Sequence, residues 1–302
     1  MPINLSQIRD LLLPGLRGVE GKYPMIPRQW GKVFDQGTSN MALERTVEAR
    51  YLSLAQLKSE GGSIAFDNNA GQRYTYNQEH IELGLGYSIT RKAIEDNLYK
   101  TDFDPSNLGL IESFAQTKEI ICANVLNTAT TYNSQVGGDG VALCSTAHPI
   151  DGGTWANTPS VQLNLNEAAL ENGELAIRYF PDQAGLRIMA RARKLVVPPQ
   201  LEYAAIRLLR TELRPNTANN DVNAQMSGGF VPDGYQVMDF LTSQYAWFLK
   251  TDKKGLLYLM RRAFDTDMQV DFTTQNLLVV ATERYSASYF NPRAIWGSFP
   301  TS

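Results

Sequence analysis

One short segment of the chain, ALCSTAHPIDGGTWANTP at residues 142–159, concentrates side chains that could do chemistry. Four of them lie within eight positions: Cys144, Ser145, His148 and Asp151. A nucleophilic enzyme needs a Cys or Ser within hydrogen-bond reach of a His, together with an orienting acid and donors for an oxyanion. The first hypothesis is therefore a cysteine or serine hydrolase.

The spacing of these side chains favours a structural role instead. Known catalytic triads draw their members from distant segments that a rigid scaffold holds in place, whereas these share one Gly- and Pro-rich loop. A single Cys and His, with His80 far away in sequence, also do not make a typical four-ligand zinc site. We predict a turn at residues 151–154 that Trp155 anchors, with no catalytic residue, metal ion or cofactor.

Composition limits the class of protein. The chain has 302 residues, 43% of them hydrophobic, enough for one large or two ordinary globular domains. A net charge of -3 and scattered Lys and Arg argue against sequence-specific DNA binding. Cys122 and Cys144, the two cysteines, are far apart in sequence, which argues against a disulfide framework and fits a reducing compartment. The first residues lack the apolar segment of a signal peptide or membrane helix. We expect a protein that stays in the cytoplasm.

The N-terminal 50 residues combine a short helical segment with a segment that sustains no helical or strand period. Prolines and glycines interrupt the segment GKYPMIPRQWGKVF, although it carries several large apolar side chains. They are Tyr23, Met25, Ile26, Trp30 and Phe34. We predict an extended arm that covers these side chains on a neighbouring surface or subunit. An irregular loop packed on its own domain is the alternative.

Residues 63–90 give the clearest strand pattern. Apolar side chains alternate at Ile81, Leu83, Leu85, Tyr87 and Ile89. Ile64 and Phe66 begin a predicted opposing arm, and the DNNAG segment between the arms suits a hairpin turn. A two-stranded ribbon is marginal alone, so this long hairpin must lie on another surface. Gly84 and Gly86 leave room for close approach of another backbone.

A long helix is predicted next, with Asp104 as its N-cap and Pro105 in its first turn. Its apolar stripe continues to about Tyr132, so about 28 residues would span about 42 Å. Cys122 lies on that stripe and is expected in the core. Further helices are predicted after Asn166 and after the Pro-Pro break in LVVPPQLEYAAIRLL.

The order of these parts resembles a tailed-bacteriophage major capsid protein with the Hong Kong 97 fold. The segments STAHP, GGTWAN, LVVPPQLEYAAIRLL, NTANNDVNA and AWFLKTD are similar to the Mu-type major head subunit family. The resemblance covers nearly the whole chain and is strongest over residues 141–159, 194–224 and 277–299.

This resemblance implies an α+β capsid fold with an N-terminal arm, an extended-loop (E-loop) hairpin, a peripheral domain with a long spine helix, and an axial domain. The arm is residues 1–54 and the E-loop is residues 55–91. The peripheral domain is residues 92–196 with 263–302, and the axial domain is residues 197–262. The DFLTSQYA segment, residues 239–246, matches the part that faces the symmetry axis of a capsomer.

The implied function is a major capsid protein that self-assembles into hexamers and pentamers of an icosahedral shell around double-stranded DNA. The resemblance places it in the virion capsid, after assembly in the cytoplasm of a bacterial host. Implied partners are portal, scaffolding and decoration proteins, and DNA by non-specific contact, with no membrane and no cofactor. An encapsulin-like compartment shares this fold and stays an alternative beside the hydrolase. The predicted inter-subunit contacts are Tyr23, Trp30, Phe34, Asp67, Asn68, Asn69, Arg73, Tyr74, Tyr76, Thr242, Gln244 and Tyr245.

One branch of this family links its subunits by isopeptide bonds from an E-loop Lys to an Asn beside a catalytic Glu. The matching positions here hold Gln275 and Thr282, although Asn276 and Glu283 are one residue away. Lys58, the only lysine in the predicted E-loop, lies near its base. Without the carboxylate no group removes the lysine proton, so we predict a shell without covalent links.

Overall fold

The structure is a computed structural model that describes residues 21–64, 66–68, 71–96, 99–213 and 222–301. Residues 1–20 of the predicted arm, Asn69 in the predicted turn and most of the NTANNDVNA motif lie outside these ranges. The described residues form an α+β fold, as the sequence predicts.

Twelve strands and five α-helices are present in the described residues. The strands are β1 (Asp35–Thr38), β2 (Leu43–Arg50), β3 (Gly71–Glu79), β4 (Ile81–Ile89), β5 (His148–Ile150), β6 (Gly153–Trp155), β7 (Ala192–Val197), β8 (Tyr235–Val237), β9 (Trp247–Thr251), β10 (Leu256–Val270), β11 (Leu277–Tyr289) and β12 (Ile295–Ser298). The helices are α1 (Arg91–Glu95), α2 (Tyr99–Asn127), α3 (Glu167–Arg178), α4 (Glu202–Arg210) and α5 (Ala224–Gly228).

The sheet that contains the two longest strands has the strand order β1-β10-β11-β4. The strand predicted at residues 81–89 is confirmed as β4, but its predicted pairing with residues 63–66 is wrong. β4 runs antiparallel to β11, with Ile89 opposite Leu277. β11 offers a long row of buried apolar side chains, which a short local arm cannot match. Gly86 allows the close approach, since a Cβ there would lie 2.7 Å from the carbonyl oxygen of Val279.

A separate two-stranded ribbon consists of β2 and β3, with Leu43 opposite Glu79 and Arg50 opposite Gly71. The hairpin of this chain is therefore formed by residues 43–79 instead of 63–90. Residues 51–70 connect the two strands. β2 was not predicted, although its side chains alternate between exposed and half-buried positions.

The long helix α2 begins and ends about five residues before its predicted limits. It starts at Tyr99, so Pro105 lies inside the helix and Asp104 is not its N-cap. Pro105 is the seventh residue of this helix, so its missing N–H removes one interior backbone hydrogen bond, the one to the Thr101 carbonyl. The helix ends at Asn127, and Cys122 is fully buried in the core as predicted.

The second sheet, β12-β9-β7-β8, separates two hydrophobic cores. Val196 of β7 faces the core that includes α2, while its neighbours Leu195 and Val197 face the core that includes α3 and α4. The predicted helix after Asn166 is confirmed as α3, and the Asn166 side chain accepts a hydrogen bond of 2.8 Å from the Ala169 backbone N–H. Among the described helices, none combines the length and apolar character needed to cross a bilayer.

Candidate assembly surface

The loop that first suggested chemistry holds His148 between two fixed partners. Its Nδ1 lies 2.6 Å from the Asp139 carboxylate and its Nε2 lies 3.1 Å from Asn157 Oδ1. The ring is buried and stacks on Trp155, with 4.7 Å between the ring centroids. Both ring nitrogens are therefore occupied, and neither faces Cys144 as a base would have to.

Asn157 ties this loop to the C-terminal part of the chain. Its Nδ2 donates to the backbone carbonyls of Leu143 and Pro292 over 2.7 and 3.0 Å. Its Oδ1 accepts a hydrogen bond of 2.8 Å from the Ser145 backbone N–H. Burial raises the pKa of the Cys144 thiol, which leaves it protonated and a poor nucleophile. Within the described ranges, no three His, Cys, Asp or Glu side chains are grouped to hold a metal ion.

Four of the predicted inter-subunit residues are buried inside their own chain, and for these the prediction is corrected. They are Tyr23, Trp30, Phe34 and Tyr76. Tyr23 stacks on Phe264 at 4.5 Å and Trp30 packs against Tyr258 at 4.1 Å between ring centroids. The alternative of a segment packed on its own domain holds here.

Two short 3-10 turns, Tyr23–Met25 and Trp30–Lys32, explain why this segment buries apolar side chains without a regular period. The Glu119 carboxylate of α2 accepts hydrogen bonds from the Gln29 and Trp30 backbone N–H groups, at 2.7 and 3.1 Å. A charged acceptor on the long helix thus fixes the path of the segment.

Asp151, the acid of the suspected active site, anchors the ribbon instead. Its carboxylate forms ion pairs with Arg50 at the end of β2 and, at 2.5 Å, with Arg73 of β3. The Arg50 hydrogen bond is the main reason that the pKa of Asp151 lies below its ordinary value. A third ion pair joins Glu48 of β2 to Arg293 near the C-terminus. Asp151 and Arg293 together hold the ribbon on the body of the chain.

Beyond this anchor, the loop at residues 51–68 leaves large apolar side chains in solvent. The exposed ones are Tyr51, Leu52, Leu54, Leu57, Ile64 and Phe66. Leu57 is 105% exposed and Phe66 is 86% exposed, so neither packs on its own chain. Monomeric soluble proteins rarely expose so many large apolar side chains in one segment. We call this segment the apolar loop.

The other predicted contact residues lie in three places. Asp67 accepts a hydrogen bond of 2.7 Å from the Ser53 backbone N–H inside the apolar loop, and Asn68 beside it is exposed. Arg73 is exposed on β3, with its guanidinium 5.7 Å from the ring of half-buried Tyr74. In the segment before β9, Thr242, Gln244 and Tyr245 are exposed.

The family of the chain follows from comparison with known proteins. Residues 81–297 match the family model described as phage capsid protein. The chain belongs to the phage capsid protein family. As a capsid protein, it is a structural subunit of a shell in the virion, and the encapsulin alternative is less favoured. No curated protein sequence matches this capsid protein.

Solved structures share the fold of this capsid protein at low identity. A virus-like particle from Pyrococcus furiosus has a TM-score of 0.53 and 10% identity, covering 94% of this chain and 97% of that one. The procapsid of bacteriophage JBD30 has a TM-score of 0.52 and 12% identity, covering 99% and 76%. Mycobacterium phage Patience has a TM-score of 0.51 and 7% identity, covering 99% and 91%. The capsid protein therefore has the Hong Kong 97 fold.

The positions expected to matter for covalent linkage have defined surroundings in this capsid protein. Glu283, one residue after Thr282, is 1% exposed, and its carboxylate forms an ion pair with Lys118 of α2 in the same chain. The Tyr23 hydroxyl donates a hydrogen bond of 2.8 Å to its other oxygen. Both carboxylate oxygens therefore have partners within the chain. Lys58 is exposed in the apolar loop.

Sequence reasoning missed most of the side chains that make the apolar loop available to a partner. The stretch YLSLAQL contains four large apolar residues in seven without a strand or helix period between turns, and this is the signal that could have identified them. The ion pairs of the ribbon could not have been found, because Arg50 and Asp151 are 101 positions apart.

Proposed function

We propose that this capsid protein is the major head subunit of a tailed phage, closest to the Mu-type family, and that it assembles through its apolar loop. Hexamers and pentamers would form an icosahedral shell around double-stranded DNA. The observation that carries the proposal is an exposed apolar segment mounted on an anchored ribbon.

The energetics favour burial of the apolar loop in the assembled state. Each large apolar side chain that leaves water contributes roughly 1.5–3 kcal/mol. A ribbon held at Asp151 and Arg293 loses less freedom on binding than an unanchored loop, which improves the net affinity. The loop is proposed to contact a different part of the neighbouring chain, and such a heterologous contact generates rings when it closes.

The proposed parts of the subunit follow the family pattern with one change. The ribbon of residues 43–79 is the E-loop, because this is the hairpin that the chain forms. The arm ends before it, residues 92–196 and 263–302 are proposed as the peripheral domain, and residues 197–262 are proposed as the axial domain. Thr242, Gln244 and Tyr245 would then face the capsomer axis.

The proposed partners are those of a phage head: portal, scaffolding and decoration proteins, with DNA held by non-specific contact. Assembly would take place in the cytoplasm of the bacterial host. The chain is proposed to have no enzymatic activity, and the occupied ring nitrogens of His148 and the protonated Cys144 thiol support this.

Assembly of a loop variant tests the proposal. Serine replaces the five aliphatic or aromatic side chains Leu52, Leu54, Leu57, Ile64 and Phe66. We expect the purified wild-type chain to form rings or shells by light scattering and electron microscopy, and the variant to remain small at the same concentration.

The matched control replaces exposed apolar residues away from the loop. Val161 and Tyr203 are 72% and 71% exposed, so Val161→Ser with Tyr203→Ser matches the loop pair Leu54→Ser with Ile64→Ser, whose side chains are 72% and 67% exposed. This control should assemble like the wild type. Normal assembly of the loop variant would show that the apolar loop is not the contact and would refute the proposal.

A further inference from the structure

A small pocket with an unusual set of charges lies where α3 meets the segment after α5. Its volume is about 280 Å³, and three arginines line it: Arg178 of α3, Arg191 just before β7 and Arg193 of β7. The only acidic side chain in its lining is Glu174, one helical turn before Arg178. The arginines come from separate elements, so the fold gathers cations that the sequence distributes along the chain.

These arginines are only partly neutralised. Arg193 forms a two-point ion pair with Asp233, at 3.1 and 3.2 Å. Arg178 lies over the ring of Phe230 at 5.3 Å, which fixes its direction without using its charge. Along the described part of the chain, no carboxylate lies within ion-pair distance of the Arg178 or Arg191 guanidinium.

Glu174 lines the pocket beside the arginines. Its side chain is 7% exposed, and its buried Oε1 has no hydrogen-bond partner within the described chain. Burial raises the pKa of Glu174 to about 7, against the opposing effects of Gln225 and Arg178 and with the smaller effect of Glu171. A carboxyl group with a raised pKa takes up a proton more readily, and its protonated form has a donor for an anion in this pocket.

We propose that this pocket binds a phosphate group and that, in the assembled particle, the group belongs to the backbone of the packaged DNA. Guanidinium groups match the geometry of phosphate oxygens and bind them through paired hydrogen bonds. Arg178 and Arg191 supply the charge, and protonated Glu174 donates to an oxygen that they leave free. The DNA part of this inference rests on the proposed function, since it requires a shell that encloses DNA.

Binding of two probes tests the pocket. The intact chain is titrated with inorganic phosphate by calorimetry and with a labelled double-stranded DNA fragment by fluorescence anisotropy, near 0.1 M salt. We expect Arg178→Ala with Arg191→Ala to weaken DNA binding about tenfold and to reduce the salt dependence by about one phosphate contact. The control, Arg207→Ala with Arg261→Ala, removes the same charge elsewhere and should leave binding within about twofold.

The pH dependence isolates the role of Glu174. DNA is the probe for this test, because its phosphodiester does not titrate between pH 6 and 8, whereas inorganic phosphate does. Wild-type DNA binding should weaken as pH rises over this range, because the ionised Glu174 carboxylate repels phosphate. Glu174→Gln keeps a donor and cannot ionise, so it should bind equally at both pH values. The conservative variant also keeps the test valid if the double Ala variant fails to fold.

The outcomes separate the two sources of phosphate and the two proposals. Tight binding of inorganic phosphate that DNA does not displace would overturn the DNA assignment, and equal losses in the test and control variants would overturn the pocket. Light scattering of the same samples reports assembly independently. If the Arg178→Ala, Arg191→Ala variant loses assembly but keeps phosphate binding, the pocket is a subunit contact and this inference is refuted. If the variant forms intact shells but loses phosphate binding, the proposed function is unaffected.

Discussion

Asp151 Oδ1 lies 2.5 Å from Arg73 Nη2, and this ion pair joins β3 of the ribbon to the loop whose residues first suggested catalysis. Arg50 binds the other oxygen of the same carboxylate. One acid thus receives two guanidinium groups from the two strands of the ribbon. Such a pairing fixes the direction of the ribbon relative to the body, which is the property that an assembly element requires.

Removing this acid should release the ribbon without unfolding the body. We expect Asp151→Asn to increase amide hydrogen exchange in residues 43–79 and to slow assembly, because Arg50 and Arg73 lose their shared partner. Exchange in α2 should stay at the wild-type rate. Asp265→Asn changes the same charge outside the ribbon contacts and serves as the control. Unchanged exchange in the ribbon would contradict the role of Asp151 as its anchor.

The same contact has a defined pH dependence. The pKa of Asp151 is lowered in the folded chain, chiefly by the Arg50 hydrogen bond. Its stabilising effect is therefore fully present above the ordinary carboxyl pKa and is lost as pH falls through the lower folded pKa. Hydrogen exchange of the ribbon should accelerate at that acidic step in the wild type. In Asp151→Asn the step should be absent.

The loop around His148 should behave as a packing element. His148→Ala removes two hydrogen bonds and a ring stack from a buried site, so we expect it to lower the free energy of unfolding by roughly 2–4 kcal/mol in urea denaturation. Activity-based thiol and serine probes should give no stoichiometric labelling that depends on His148. Such labelling, absent in His148→Ala and present in the wild type, would revive the hydrolase hypothesis.

Local patterns predicted the elements of this fold better than their partners. The alternation at Ile81–Ile89 identified a strand, yet its partner lies almost 200 positions away, and a local hairpin satisfied the same pattern. The helix start was misplaced because Asp104 and Pro105 form a typical N-terminal signal, which the chain overrides by continuing the helix to Tyr99.

The predicted inter-subunit residues fall into two groups, those that are buried in their own chain and those that are exposed. Aromatic side chains in a segment without period were assigned to a neighbour, but 3-10 turns bury Tyr23 and Trp30 in the same chain. Residues near the predicted hairpin tip, such as Asn68, are exposed as an assembly element requires. The sequence pattern cannot distinguish an apolar segment covered by its own chain from one left for a partner, because both lack periodicity.

The buried pair of Lys118 and Glu283 should couple strongly in a double-mutant cycle. Lys118 lies near three tyrosine rings, including Tyr258 and Tyr285, and desolvation is the main reason that its pKa is lowered. Removing one partner leaves an unpaired buried charge, which costs about 3–5 kcal/mol. We expect Lys118→Met and Glu283→Leu to be strongly destabilising singly in urea denaturation, and much less so than their sum when combined. Additive losses would show that the two side chains act independently.

The shell should dissociate completely into single chains under denaturing conditions. Gln275 and Thr282 replace the amide and the acid that the covalent branch of the family uses, and the nearby Glu283 carboxylate is held by Lys118 and Tyr23 of its own chain. An acid with both oxygens engaged cannot deprotonate a lysine from a neighbour. We expect assembled particles, boiled in detergent with reductant, to give one electrophoretic band near 33.7 kDa. Lys58→Arg keeps the charge but cannot form the bond, so it should give the same pattern. A ladder of multimers in the wild type that disappears in Lys58→Arg would establish covalent linkage and contradict this prediction.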